Sequence, residues 1–158
     1  MYNKLVIVIM IAIFLAGCGG GNGSFSPDFS GNYGGGQILL GSDRAGGPVI
    51  EIDSFSVQQS DGSFGTYATL LLPGEDESGF IGGSISRQGL FNAVVNLSYG
   101  GQIVIGGGPL RKKIHGRAGS AWEVTGRVSV SYHAEKKGTK QYLNSVLSFW
   151  PSENGGLG

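Results

Sequence analysis

The chain has a single cysteine, Cys18, so it can form neither an internal disulfide nor a multi-cysteine metal site. Its two histidines, His115 and His133, are too far apart in sequence to suggest a zinc motif. Charged residues make up only 14% of the chain, and 11 acids balance 11 bases, so the basic excess of a nucleic-acid binder is missing. There is no Gly-x-Ser-x-Gly elbow, and no nucleophile with a base beside it in sequence, so no catalytic residue is assigned. After residue 18 no stretch keeps a helical period. The 31 glycines follow no Gly-X-Y register, which excludes collagen. Gly34-Gly35-Gly36 and Gly106-Gly107-Gly108-Pro109 are not followed by Lys-Ser/Thr and a helix, so they read as bends rather than phosphate loops. At 158 residues the chain supports one domain with a small appendage.

The appendage comes first. Lys4 and the amino terminus supply positive charge, and Leu5 to Leu15 is unbroken hydrocarbon, too short for a spanning helix of about 20 residues but suited to a signal-peptide core. Leu15-Ala16-Gly17-Cys18 resembles the lipobox of bacterial lipoproteins. The resemblance implies cleavage before Cys18, a diacylglycerol on its thiol and an acylated amino terminus, with Leu15, Ala16 and Gly17 as the signal-peptidase motif. It also implies a lipid bilayer as partner and the cell envelope as address, and Gly19 in place of Asp implies the outer membrane where the host has two membranes. Two or more acyl chains anchor stably, whereas one is marginal. Residues 1–17 are thus expected to be a signal peptide, 18–28 a lipidated Cys and Gly/Ser-rich tether, 29–151 an all-β domain and 152–158 a tail.

From Phe29 onward, short apolar or alternating runs are punctuated by turn residues. Strands are predicted near 30–40, 48–58, 63–72, 79–87, 89–99, 101–106, 113–118, 121–134 and 140–150. In 121–134, Trp122, Val124, Val128, Val130 and Tyr132 share one parity and Glu123, Thr125, Arg127, Ser129, Ser131 and His133 the other. Phe91, Ala93, Val95, Leu97 and Tyr99 form a second apolar face. Between Ile52 and Phe55 the parity slips, which predicts a bulge near Asp53-Ser54. Spacing near ten residues with tight turns points to an all-β fold of about eight strands, an antiparallel up-and-down barrel or a two-sheet sandwich. Gly31-Asn32-Tyr33 resembles the Gly-x-Trp opening of lipocalins with Tyr for Trp, and implies a small barrel able to carry an apolar ligand, lined by residues such as Trp122, Val128, Tyr132 and Phe91.

The remaining chemistry is sparse. Glu75-Asp76-Glu77 lacks the alternating acids of a calcium loop and reads as a solvated hairpin tip, so neither metal nor cofactor is assigned. Glu51 and Asp53 would share a face of a regular strand, but nothing pins a third partner. The strongest feature is asymmetry of charge. Acids dominate residues 19–80 and bases residues 81–158, with the densest run at Arg111, Lys112, Lys113 and Arg117. That run is the candidate patch for an anionic lipid, glycan or protein partner, nucleic acid being set aside. The sequence therefore reads as a non-enzymatic envelope binding or scaffold module, with a lipocalin-like carrier as the alternative.

Overall fold

The computed structural model of the chain describes residues 29–41, 47–115, 121–135 and 138–152. The lipobox-like residues Leu15, Ala16, Gly17 and Cys18, the segment leading to Phe29, Arg117 and the last six residues lie outside them. Among the described residues no helix is long and apolar enough to cross a membrane. The strands are β1 (Gly31–Leu39), β2 (Val49–Ile52), β3 (Phe55–Val57), β4 (Ser63–Leu72), β5 (Glu75–Ile85), β6 (Phe91–Leu97), β7 (Gln102–Gly107), β8 (Arg111–His115), β9 (Ala121–Ala134) and β10 (Gly138–Pro151).

These strands close a barrel. The hydrogen-bonded order runs β10-β1-β2-β4-β5-β6-β7-β9, and β9 pairs with β10 to complete an eight-stranded antiparallel ring. The two extra pieces continue ring strands past a break. β3 extends β2 along β1, and β8 follows β7 along β9. Barrel rather than sandwich is therefore the architecture, and closure removes the sheet edges of the eight ring strands.

Period-two patterning decides what faces inward. Phe91, Ala93, Val95 and Leu97 of β6 and Val124, Val128, Val130 and Tyr132 of β9 are buried, while Asn92, Asn96, Arg127, Ser129 and His133 are exposed. Apolar side chains inside and polar ones outside is the reverse of the pattern in barrels that span membranes. An eight-stranded interior is just wide enough for side chains to fill. Here Tyr33, Phe55, Phe64, Phe91 and Phe149 occupy it, with ring centroids 5.0–5.7 Å apart in contacting pairs. Such offset and edge-on pairs add about 0.5–1.5 kcal/mol each beyond the area they bury.

Three details differ from the pattern expected of the sequence. Tyr99 leaves the apolar face of β6 and is 84% exposed, because the β6–β7 turn has begun by Ser98. The break at Asp53-Ser54 is real, and Ile52 and Phe55 are both buried, yet the register against β1 does not change across it. β1 slips in parity at the same height, from Tyr33 to Gly36, and the shift appears instead in its pairing with β10. Finally, β5 begins at Glu75, so Glu75 and Asp76 are ladder residues paired with Leu72 and Leu71, and only Pro73-Gly74 make the turn.

Candidate functional site

Gly106-Gly107-Gly108-Pro109 decides where the basic run goes. Gly107 and Gly108 have φ of 149° and 122°, a region that disfavours side chains, and a Cβ on Gly108 would lie 2.6 Å from the Gly89 carbonyl oxygen. The chain steps outward there, Leu110 drops into the core, and the Leu110 amide donates to the Gly89 carbonyl at 2.8 Å. The next residue is Arg111. The register against β9 changes by one between β7 and β8, which makes the step a bulge between two collinear strands.

Beyond that step, β8 and the start of β9 form a hairpin arm. All five residues of β8 are exposed. Among the described residues β8 pairs only with β9, so its other edge is open. Cross-strand pairing sorts the side chains. Arg111 and Lys113 stand opposite Thr125 and Glu123 on the outer face, with His115 following at the end of β8, and Lys112 and Ile114 stand opposite Val124 and Trp122 on the inner one. The Lys112 ammonium lies 4.8 Å from the centre of the Trp122 ring, a cation–π contact that leaves the charge in solvent. Trp122 is fixed from behind by an edge-on contact with Tyr33 at 6.1 Å.

Beside the root of the arm lies an open groove of about 520 Å³ lined by Gly108, Pro109, Arg111, Lys112, Lys113, Thr125, Gly126 and Arg127. Arg127 donates to the Asn144 carbonyl at 3.1 Å and is thereby held at the groove's rim. Thr125 is turned away, its hydroxyl donating to the Leu147 carbonyl at 2.9 Å. Three cations close together in water, with a tryptophan beside them, suit an extended anionic surface rather than a small buried anion. The structure thus brings Arg111, Lys112 and Lys113 together, and Arg117 lies outside the described residues. Arg127 and Trp122, assigned to faces of a strand by sequence, join the patch through pairing that no local pattern reveals.

The other candidates are dispersed. His115 Nε2 is 3.1 Å from Glu123 Oε1, on an open sheet face where about half the imidazole meets solvent. His133 Nδ1 is 2.9 Å from the Thr139 hydroxyl, near the far end of the barrel. Among the described residues no three His, Cys, Asp or Glu side chains are placed to hold a metal ion. Glu51 and Asp53 do reach one groove, of about 510 Å³, with Gly34, Gly35, Gly36 and Trp150 across from them. No third titratable group joins those two carboxylates in its lining. The class of protein this defines is a small, closed, antiparallel β-barrel with a basic arm. No protein-family model matches the chain, and no curated protein or solved structure is significantly similar to it.

Proposed function

We propose that this chain is a lipid-anchored envelope protein whose barrel acts as a non-enzymatic binding module through the β8–β9 arm. The observation that carries the reading is the exposure of Arg111, Lys112 and Lys113 on a strand that continues a ring strand past a break. Lys112 stands over the Trp122 ring, and all three side chains are exposed and so accessible to an anionic partner. The packed interior supports surface binding over internal carriage, since aromatic rings stand where an apolar ligand would lie. The anchor rests on the lipobox resemblance of Leu15, Ala16, Gly17 and Cys18.

Mass spectrometry of the native amino terminus tests the anchor. The expected species begins at Cys18 with a diacylglyceryl thioether, and an unmodified thiol overturns it. Binding to envelope extracts tests the module. Arg111→Glu, Lys112→Glu and Lys113→Glu combined should abolish it, and unchanged binding retires the patch. An apolar compound that copurifies in stoichiometric amount would favour the carrier instead.

A further inference from the structure

We infer that the partner of the basic arm is an anionic phospholipid bilayer, and that the arm holds one particular end of the barrel against the membrane. The inference rests on the lipid-anchored reading for the nearness of that membrane, and on the fold for everything else.

The topology sets the geometry. Successive ring strands alternate in direction, so the β4–β5, β6–β7 and β9–β10 turns share one end of the barrel. The chain enters β1 at the opposite end, together with the β3–β4 and β5–β6 turns and the arm. Contacts make this proximity concrete. Phe29, the first described residue, is buried, and its ring tip lies 3.3 Å from where a Cβ on Gly89 would be. Gly89 in turn accepts the hydrogen bond from Leu110, the residue before Arg111. One glycine therefore separates the chain's entry from the root of the basic strand. Between Cys18 and Phe29 the chain can span at most about 40 Å even when fully extended. An acyl chain on Cys18 would attach the barrel to the lipid through this end and hold the whole body within that reach of it.

The chemistry matches that position. Arg111, Lys112, Lys113 and, in the β5–β6 turn, Arg87 are exposed at the tethered end, against the acids Asp61 of the β3–β4 turn and Glu123 of the arm, so bases prevail there. At the far end Glu75, Asp76 and Glu135 are exposed beside Lys140, so acids prevail and the same surface would repel that end. The arm also carries apolar groups suited to a headgroup layer. Ile114 is 67% exposed, and Trp122, its cross-strand partner, has the amphipathic ring that favours membrane interfaces. Each basic residue near an anionic leaflet strengthens attraction roughly fivefold, and a basic cluster is the usual second signal beside an acyl anchor. Charge would thus orient a barrel that the anchor alone leaves free to tumble.

The test uses the full chain as purified from membranes, with Trp150→Phe so that Trp122 is the remaining tryptophan. The protein is reconstituted into vesicles of phosphatidylcholine, with or without phosphatidylglycerol, containing a brominated lipid as a quencher. Trp122 fluorescence should be quenched in the anionic vesicles and spared in the neutral ones. The triple Glu substitution of Arg111, Lys112 and Lys113 should lower the bilayer-bound fraction of the arm on the order of a hundredfold. High salt should do the same to the unsubstituted arm, so the result does not depend on the variant's folding. Equal quenching in both vesicles overturns the inference, because contact would then need no anionic lipid. Absence of quenching in both overturns it too, and leaves an acidic glycan or protein as the partner. A free thiol at Cys18 would sink the anchor separately, and quenching specific to anionic vesicles would survive that result.

Discussion

At the scale of single residues, the barrel depends on a few side chains whose loss has a defined consequence. Phe149 is fully buried and touches the rings of Tyr33, Phe55 and Phe91, so Phe149→Ala leaves a cavity that neighbouring strands cannot close. The expected loss is about 3–5 kcal/mol in denaturant unfolding, with Phe149→Leu losing less. Ser145 is the one polar side chain in the described core. Its hydroxyl donates to the Tyr142 carbonyl and accepts from the Gly41 amide, both at 3.1 Å, beside the β9–β10 bulge. Ser145→Ala leaves that amide unpaired and should destabilise by about 1–3 kcal/mol. Asp61 sets a pH dependence. Hydrogen bonds from the Ser63 side chain, then from its backbone amide, hold the Asp61 carboxyl below its ordinary value. A depressed folded value means that the contribution is complete above the unfolded one and fades as pH falls through the folded one. Asp61→Ala should therefore melt below the parent at neutral pH, and the two melting curves should converge in titrations below about pH 4.

Elements show which parts of this fold can be read locally. The interior faces of β6 and β9 follow from alternation alone, because each strand has one wet and one dry side and a period of two records it. Tyr99 obeys the same parity and is nevertheless exposed, since parity does not say where a strand stops and Ser98 already belongs to the turn. The basic run of β8 is plain in sequence, but its position on an outlying strand is not, because that depends on the bulge at Gly108 and on β9 as partner. Glycines show the same limit. Gly82 and Gly83 are neighbours in β5 and look interchangeable in sequence. A Cβ on Gly83 would sit 2.1 Å from the Asn92 carbonyl oxygen of β6, while one on Gly82 would meet only the Phe80 ring, at 3.3 Å, and more distant atoms. Gly83→Ala should force β5 from β6 and destabilise by about 1–3 kcal/mol. Gly82→Ala, where only a side chain must yield, should change the melting temperature far less.

The whole molecule is a closed ring carrying one open arm, and this division of stability is the property least visible in the sequence. Closure arises because β10 returns to pair with β1 across more than a hundred residues, a contact that no local window records. Each ring strand therefore has two hydrogen-bonded neighbours, and opening any of them must break two ladders and expose the shared aromatic core. Among the described residues β8 has one neighbour and an open edge, and none of its side chains is buried. Local opening free energy follows buried apolar contact and solvent exposure of the backbone, so the arm belongs at the weak end of the range and β5 and β6 at the strong end. Amide hydrogen exchange should show this directly. Protection in β5 and β6 should approach the global unfolding free energy from denaturant titration, while Arg111 to His115 exchange through local opening largely independent of denaturant. If β8 were instead protected as strongly as β6, its free edge would have to be covered, by another copy or by a segment outside the described residues. The arm could not then meet a bilayer. Slow exchange in β8 that appears only after anionic vesicles are added would mean that the membrane itself orders the arm.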